Sequence, residues 1–360
     1  MKKMKIIHIS CIDNERVGGV GFVVPEYVEY QSKYAFTMLY DINNVYLQNK
    51  KITRYIYNDY DTISKLPSPY NQPDLVVFHE VYKKEYIKLY KECINRGIPY
   101  IIVPHGCITK NAQKIKYIKK KIGNILLFKK FIKMATMIHY LSPLEQETSI
   151  YNKAGFICGN GIHIVEKVKQ VNINEFTFLF MGRYNIFHKG LDILLDSVEK
   201  ISNWFRENNI KILMYGMGRN KNINRLRKII YDKNIGDIVI LNGAVYGKEK
   251  EQVLKNSSVF ILTSRYEGLP QGIQEALVRG IPCLVSPGTG FDQYINKNKC
   301  GYCTNGTVES TCKMIKKAYN ERNKFNELSK NGHEAILRDY RWDKIAKKNL
   351  EIYEKILIDN

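Results

Sequence analysis

The chain has 360 residues, of which 44% are hydrophobic, so it can form the cores of two ordinary domains. No run of about 18 uncharged apolar residues occurs, and this argues against a transmembrane helix. The formal net charge of +21 predicts an acidic partner or surface, while the eight scattered cysteines are typical of reduced thiols in a cytosol.

The first half of the chain alternates between predicted strands and helices. The opening run at Lys5 to Ser10 is too short for the apolar region of a signal peptide, so we interpret it as a first strand. Further strands are predicted at Asp74 to His79, Tyr100 to Pro104 and Met137 to Leu141. Helices are predicted at Val24 to Tyr40, Lys83 to Arg96 and Gln113 to Ala135.

The alternation restarts at Phe176. Strands are predicted at Phe176 to Met181, Lys211 to Tyr215, Ile238 to Leu241, Val259 to Thr263 and Pro282 to Val285. Helices are predicted at Leu191 to Arg206, Ile223 to Lys233 and Lys248 to Lys255. Strands separated by such helices indicate parallel sheets with helices on both faces. The expected fold class is α/β, with two doubly wound, Rossmann-like domains that face each other across a cleft.

A turn-rich and then polar stretch around His163 to Asn174 is typical of a linker between domains. We therefore place an N-terminal domain at residues 1–165 and a C-terminal domain at residues 166–342.

Two turns of the first half follow predicted strands. Gly18-Gly19-Val20-Gly21 predicts a loop whose backbone can approach a ligand closely, although an ordinary tight turn has the same composition. Pro104-His105-Gly106 places an imidazole after the strand at Tyr100, and a single histidine of this kind is either structural or part of a site.

Turns of the second half carry cations and glycines. The first strand ends in Gly182-Arg183, and Lys189-Gly190 begins the next helix. Arg183 and Lys189 can converge on one anion, the guanidinium through paired N–H donors and the ammonium as a point charge. The next two strands end at Gly216 and Gly243, in turns open enough for a flat base to lie against the backbone.

The segment Ser264 to Gly280 is the most informative part of the chain. It predicts a turn and a helix, with Glu267 on the turn and Glu275 on the flank of the helix. Four backbone N–H groups crowd the helix start, where an anion is favoured; they belong to Gly268, Leu269, Gln271 and Gly272. Because ligands bind at the carboxyl edge of parallel sheets, these groups suit a sugar phosphate. The alternative is a pair of solvated helix-end carboxylates.

The segment from Gln113 to Lys133 carries eight lysines and no acidic residue, with isoleucine, leucine and phenylalanine between them. It predicts a basic amphipathic helix that lies on an anionic membrane surface. A half-buried helix with a solvated basic face is the alternative, and no nucleic-acid motif accompanies the charge.

Two further motifs are interpreted as structural. Cys300 and Cys303 form a C-x-x-C pair without a second pair nearby, which does not favour a metal site. Asp59-Tyr60-Asp61 imitates a metal-binding carboxylate pair, but the sequence predicts no strand before it, so we interpret it as a loop.

In order and spacing, four motifs of the second half resemble the retaining GT-B glycosyltransferases of family 4. They are Gly182-Arg183 with Lys189-Gly190, Tyr215-Gly216-Met217-Gly218, Leu241-Asn242-Gly243, and the segment from Glu267 to Glu275. The resemblance extends more loosely to the first domain, and it implies that a final helix at 343–360 packs back on that domain.

The resemblance implies a role for each of these residues. Arg183 and Lys189 would bind the donor diphosphate, and Glu275 would bind the ribose hydroxyls. Glu267, with the amides that follow it, would hold the donor sugar.

From the other domain, Gly19 would approach the diphosphate and His105 would lie near the transferred sugar. Fixed cations and N–H groups stabilise the charge that a leaving nucleoside diphosphate gains, so no metal or other cofactor is expected.

We therefore expect a cytoplasmic, peripheral membrane glycosyltransferase that moves a sugar from a UDP- or GDP-linked donor to a lipid-linked or polysaccharide acceptor in bacterial surface glycan synthesis. It would bind an anionic membrane through residues 113–133, and nucleic acid is not an expected partner. The alternatives are another GT-B enzyme, such as a nucleotide-sugar epimerase or a phosphorylase, and a non-catalytic basic membrane adaptor.

Overall fold

The structure is a computed structural model that describes residues 3–12, 19–43, 51–58, 61–114, 116–165 and 176–359. The chain forms two compact units, Met1–Gly161 together with Tyr340–Asn360, and Ile162–Asp339. The division falls shortly before the boundary expected from the sequence.

The first unit contains a parallel sheet of seven strands in the order β3-β2-β1-β4-β5-β6-β7. These strands are β1 (Lys5–Ser10), β2 (Phe36–Asp41), β3 (Arg54–Ile56), β4 (Leu75–His79), β5 (Tyr100–Val103), β6 (Met137–Tyr140) and β7 (Gly155–Ile157). Its helices are α1 (Gly19–Gln31), α2 (Tyr86–Asn95), α3 (Lys110–Lys114), α4 (Tyr117–Gly123), α5 (Lys129–Met134), α6 (Pro143–Glu147) and, from the end of the chain, α15 (Trp342–Ile358).

The second unit contains a parallel sheet of six strands in the order β10-β9-β8-β11-β12-β13. These strands are β8 (Thr177–Met181), β9 (Lys211–Tyr215), β10 (Val239–Asn242), β11 (Val259–Leu262), β12 (Cys283–Val285) and β13 (Gly301–Cys303). Its helices are α7 (Leu191–Lys200), α8 (Ser202–Glu207), α9 (Asn220–Asp232), α10 (Gly247–Lys255), α11 (Gln271–Val278), α12 (Asp292–Asn298), α13 (Val308–Asn320) and α14 (Phe325–Asp339).

The central strands of both sheets are continuous apolar runs whose residues are all buried, as in β4, β5 and β11. Such runs are typical of parallel strands that helices cover on both faces. The α/β fold class with two parallel sheets is therefore confirmed. None of the helices in the described ranges is long and apolar enough to cross a lipid bilayer.

The last helix, α15, packs on α1 within the first unit through Trp342. The indole lies edge-on to the ring of Tyr27, with centroids 5.1 Å apart, and stacks on Tyr30 at 5.7 Å. A Cβ on Gly161 would lie 2.2 Å from Cδ2 of Trp342. Glycine at this position therefore lets the backbone meet the indole.

The predicted helix at Val24 to Tyr40 is wrong in its second half. Helix α1 ends at Gln31, and β2 begins at Phe36 and pairs with β1 along its whole length. The apolar residues after Tyr34 satisfy a buried strand as well as a helix, so neighbouring β1 decides the outcome.

Three shorter corrections also concern the first unit. Gly19 begins helix α1 and is not part of a loop, whereas Gly18 lies outside the described residues. Strand β3 does precede the Asp59-Tyr60-Asp61 motif, of which only Asp61 is described. Strand β7 was also not predicted, because a three-residue strand gives almost no periodic pattern. The same holds for β13 of the second unit.

The predicted basic helix at Gln113 to Ala135 is confirmed from Tyr117 to Met134 but is interrupted before Tyr117. Helix α3 ends at Lys114, Lys116 has a positive φ of 54°, and a π-helical turn at Asn124–Phe128 separates α4 from α5. A left-handed residue cannot lie inside a regular helix, so α3 is separate from the helical run that begins at Tyr117. That run continues to Met134 through the π-helical turn.

Candidate active site

The second sheet gathers its glycine turns at the carboxyl ends of neighbouring strands. Gly182, Gly216 and Gly243 follow β8, β9 and β10, which lie side by side. A Cβ on Gly216 would lie 1.9 Å from the carbonyl oxygen of Gly182, so close packing of the turns requires glycine there. A Cβ on Gly243 would meet no described atom within 4 Å, so packing alone does not explain that glycine.

The Lys189-Gly190 pair joins the β8 turn to helix α7 beside the end of β11. Gly190 has a positive φ of 59°, and a Cβ there would lie 1.9 Å from the carbonyl oxygen of Thr263. Only glycine accepts both the conformation and the contact. As a result, Lys189 lies next to the turn that carries Glu267.

Lys189 and Glu267 form an ion pair that is mostly shielded from solvent. The Lys189 Nζ lies 2.6 Å from Oε1 of Glu267, and the two side chains are 12% and 10% exposed. The Ser264 hydroxyl donates to the same oxygen at 2.6 Å. Burial by itself raises the pKa of Glu267, but Lys189, His188 and the two hydrogen bonds lower it below its ordinary value. Glu267 is therefore a carboxylate at neutral pH, and it lies beside the Lys189 side chain.

His188 and Arg183 complete this cluster. The His188 ring stacks on Tyr266 with centroids 4.2 Å apart, and its Nε2 lies 3.7 Å from Oε2 of Glu267. Burial lowers the pKa of His188, as do Lys189 and Arg183, while Glu267 opposes the shift. Within the described residues, the exposed guanidinium of Arg183 has no ion-pair or hydrogen-bond partner. The Arg183 guanidinium, near the shielded Lys189–Glu267 pair, is therefore accessible to an anionic ligand.

Helix α11 begins directly after this turn. Pro270 has extended dihedral angles and directly precedes the first helical residue, Gln271. No side chain caps the helix start. The Ile273 amide donates to the Pro270 carbonyl at 3.1 Å, whereas the amides of Gln271 and Gly272 precede the first intrahelical hydrogen bonds. A Cβ on Gly272 would lie 2.8 Å from Cζ of Phe260, which explains this glycine by helix–strand packing.

Glu275 lies farther along α11 and has a different partner. Its Oε1 accepts from the Lys250 Nζ at 2.7 Å, and the side chains of Lys250 and Glu275 are half-buried. The structure therefore brings Lys189 and Glu267 together and gives Glu275 its own cation from helix α10.

In the first unit, His105 occupies a strained turn after β5. It has a positive φ of 51°, and its Nε2 lies 3.0 Å from Nδ1 of His79. The Gly106 amide donates to Glu145, whose other oxygen accepts from Leu141 at 2.7 Å. Burial and His139 lower the pKa of His105 to about 3. The imidazole is therefore neutral at physiological pH.

Several residues of these clusters were not predicted from the sequence. His188 and Tyr266 are direct neighbours of Lys189 and Glu267 in the chain, and that adjacency was the available signal. Lys250, His79 and Glu145 gave no signal, because they lie on elements far apart in sequence from the motifs they support.

The two cysteines of the C-x-x-C pair lie in surroundings that disfavour the thiolate form. Burial raises the pKa of both Cys300 and Cys303 to about 12, so the thiols stay protonated. The described parts of the chain hold no group of three His, Cys, Asp or Glu side chains suited to a metal ion.

The second unit of the chain is similar to known proteins of one family. Residues 164–335 match the family model of glycosyl transferases group 1. An uncharacterized glycosyltransferase of Methanocaldococcus jannaschii is 24% identical over 185 residues, which are 51% of this chain and 46% of that protein. The UDP-Gal:alpha-D-GlcNAc-diphosphoundecaprenol alpha-1,3-galactosyltransferase of Escherichia coli is 26% identical over 129 residues, 36% of this chain and 33% of that one.

The fold also matches solved structures over its whole length. Anabaena HepE, in complex with UDP and glucose, superposes with a TM-score of 0.75 at 14% identity and covers 98% of this chain and 99% of its own. By sequence, the chain spans about half the length of the first curated relatives it matches. The chain has the GT-B fold, and its residues 164–335 match the family of group 1 glycosyl transferases.

Proposed function

We propose that the protein is a retaining glycosyltransferase that moves a sugar from a UDP- or GDP-linked donor to a lipid-linked or polysaccharide acceptor in bacterial surface glycan synthesis. The observation that carries the proposal is the shielded Lys189–Glu267 ion pair near the open guanidinium of Arg183. A desolvated ammonium and an unpaired guanidinium are the groups that a diphosphate requires.

In this proposal, Lys189 and Arg183 bind the diphosphate of the donor. When the glycosidic bond breaks, the leaving diphosphate gains negative charge, and cations held in place stabilise that charge more than they stabilise the ground state. Glu267 holds the Lys189 ammonium at 2.6 Å through Oε1. Its Oε2 remains available to accept a hydroxyl of the donor sugar, and the amides at the start of α11 supply further donors. No metal ion is needed in this scheme.

Glu275 is proposed to bind the ribose hydroxyls. A carboxylate oxygen accepts hydrogen bonds from hydroxyl groups, and the ion pair with Lys250 at 2.7 Å holds the Glu275 side chain in place. The turns at Gly216 and Gly243 would accommodate the base.

The comparisons support the substrate classes. Anabaena HepE binds UDP and glucose, and the E. coli relative acts on a sugar linked to diphosphoundecaprenol. By analogy, we propose a nucleoside diphosphate sugar as donor and a lipid-linked glycan as acceptor for this chain.

Titration calorimetry with UDP, GDP and ADP tests the donor site. We expect one nucleotide to bind, and Arg183→Gln to weaken its binding about 10- to 100-fold, because a charge-assisted hydrogen bond contributes about 1.5 to 3 kcal/mol. Arg227→Gln, an exposed change on helix α9, is the matched control and should leave the affinity unchanged. Equal effects of the two variants would contradict the proposed diphosphate site.

Glu275→Gln provides a second test of the donor site. It should weaken nucleotide binding because a neutral amide is a poorer acceptor for the ribose hydroxyls, whereas Glu249→Gln on the exposed side of α10 should not. Lys189→Ala should mainly slow transfer, since the ammonium acts on the leaving diphosphate.

Turnover separates the transferase from its alternatives. With a nucleotide-sugar panel and a lipid-linked acceptor, we expect release of nucleoside diphosphate and an α-linked product from an α-linked donor. Epimerised sugar, or cleavage that requires inorganic phosphate, would indicate another GT-B enzyme. Binding to liposomes without any turnover would indicate an adaptor.

The segment at 113–133 is proposed to bind an anionic membrane. Its turns expose large apolar side chains, among them Ile118 (72%), Ile125 (67%) and Leu126 (72%). Exposed lysines flank them, which is the composition of a surface that inserts between lipid head groups. Lys120 does not contribute, because its Nζ donates to the Ala112 carbonyl at 2.7 Å and lies over the ring of Tyr82. We propose a peripheral location on the inner face of the membrane.

Vesicle sedimentation tests this surface. The double change Lys119→Glu and Lys121→Glu should weaken binding to phosphatidylglycerol vesicles at least about 30-fold, since each basic residue near the surface contributes about 1 kcal/mol. The same charge change at the exposed Lys313 and Lys317 of helix α13 is the control. Equal loss in both proteins would contradict a localised membrane surface.

A further inference from the structure

Three histidines of the first unit, two buried and one half-buried, form a hydrogen-bonded row that ends at the half-buried His105. His8 lies on β1, His79 ends β4 and His105 follows β5, so the three belong to neighbouring strands of the sheet. His8 Nδ1 lies 3.0 Å from His79 Nε2, and His79 Nδ1 lies 3.0 Å from His105 Nε2. At the other end, His8 Nε2 lies 3.0 Å from Oε1 of Gln31 on α1.

Each ring in this row carries a single proton at neutral pH. Burial lowers the pKa of His8 to about 4 and that of His105 to about 3, and burial with the neighbouring imidazoles lowers the pKa of His79 well below its ordinary value. A neutral imidazole has one N–H donor and one acceptor nitrogen. The proton position of one ring therefore fixes the next.

The amide oxygen of Gln31 sets the direction of the row. An oxygen only accepts, so Nε2 of His8 carries the proton and Nδ1 of His8 accepts from Nε2–H of His79. Nδ1 of His79 then accepts from Nε2–H of His105. The remaining nitrogen, Nδ1 of His105, has no hydrogen-bond partner among the residues that the structure describes.

We infer that Gln31, His8 and His79 are positioning residues that hold His105 in the Nε2–H tautomer and present its unprotonated Nδ1 as a hydrogen-bond acceptor. Glu145 supports the same geometry by accepting from the amide of Gly106, next to the left-handed backbone of His105. An acceptor nitrogen without positive charge binds a hydroxyl and does not attract a phosphate oxygen. His105 therefore recognises a hydroxyl of the transferred sugar, a role that rests on the proposed function.

His139 is an internal control for this inference. Its Nε2 lies 2.7 Å from the carbonyl oxygen of Cys158, so a backbone group fixes its tautomer without Gln31. It lies on β6, and burial keeps it neutral by lowering its pKa to about 4.

Heteronuclear NMR of the full chain with isotope-labelled histidine tests the row. In the unchanged protein, we expect His8, His79 and His105 all to be protonated at Nε2, with couplings through the two imidazole–imidazole hydrogen bonds. A proton on Nδ1 of His105 would overturn the inference, since the row would then run in the opposite direction. This result needs no variant, and it is independent of any sugar transfer.

Gln31→Leu tests the origin of the direction. Without the amide oxygen, His105 should become a mixture of both tautomers, while the His139 signals stay unchanged. A single Nε2–H tautomer at His105 in this variant would refute the assigned role of Gln31, and unchanged His139 signals show that the unit is folded.

Kinetics connect the row to function. His79→Phe should lower kcat/KM for the sugar donor about tenfold, the effect of one lost hydrogen bond, without changing the affinity for the nucleoside diphosphate. His139→Phe should have little effect on either quantity. If both variants lower the nucleotide affinity alike, the positioning role is wrong. If no donor is turned over by the unchanged protein, the proposed function fails while the NMR result stands.

Discussion

Replacement of Lys189 by methionine tests the shielded ion pair on which the proposed donor site depends. Methionine keeps a flexible apolar chain but removes the ammonium, so Glu267, only 10% exposed, loses the cation 2.6 Å away. The carboxyl group must then stay charged without compensation or take up a proton.

Protonation of Glu267 sets an upper limit on the free energy lost when its cation is removed. The ordinary pKa of Glu267 is 4.5, and pH 7 lies about 2.5 pH units higher, so protonation costs about 3.4 kcal/mol at about 1.4 kcal/mol per unit. Loss of one partner of a buried pair costs about 3 to 5 kcal/mol in other proteins. We therefore expect K189M to lower the free energy of unfolding of the second unit by about 3 kcal/mol at pH 7. At pH 5.5, the same limit falls to about 1.4 kcal/mol.

Urea denaturation followed by Trp204 fluorescence measures this loss, because Trp204 lies in the second unit and the chain's other tryptophan, Trp342, lies in the first. Adding Glu267→Gln to K189M should recover a large part of the stability, since it removes the stranded charge. Lys200→Met is the control: its partner pair is 53% and 71% exposed, so it should cost less than about 1 kcal/mol. A K189M loss as small as the control's, or equal at both pH values, would refute the reasoning.

Two further predictions concern the first unit. Acidification from pH 6.5 to 5 should destabilise it by up to about 2 to 3 kcal/mol per pH unit. Three of its histidines, His8, His105 and His139, have pKa values of about 3 to 4, so the unfolded chain binds more protons. Glu145, with a pKa raised from 4.5 to about 7, opposes this trend by losing stability as the pH rises. His139→Phe should therefore reduce the slope of the unfolding free energy against pH, which urea denaturation at several pH values measures. An unchanged slope would contradict the lowered pKa of His139. Gly161→Ala should lower the free energy of unfolding by about 1 to 3 kcal/mol, because the new Cβ would lie 2.2 Å from Trp342. Gly236→Ala is the control and should cost little, since its nearest contact would be at 3.9 Å. Equal melting temperatures of the two variants would exclude the clash.

The strands of both sheets were largely predictable because buried parallel strands leave apolar runs. The predicted bounds of β1 and β9 match the structure, and those of β4, β5 and β11 differ by one residue at an end. The segment around Phe36 was not predictable, since its apolar residues fit a helix and a strand equally and only pairing with β1 distinguishes them.

The motifs of the second unit indicated which residues to examine but not how they pair. Lys189 and Glu267 were expected to bind separate parts of a ligand, yet in the structure they bind each other. Their contact depends on the left-handed Gly190 packed against Thr263, a tertiary feature that spacing alone does not encode. The role of His105 remains a prediction, and its hydrogen-bonded neighbours were invisible because they come from separate strands.

The most direct test of the central claim is a crystal structure of the protein soaked with UDP or GDP. We predict that the β-phosphate lies within hydrogen-bond distance of Lys189 Nζ and of the Arg183 guanidinium, with Glu275 on the ribose hydroxyls. A nucleotide bound elsewhere, with the Lys189–Glu267 pair free of any phosphate contact, would contradict the account.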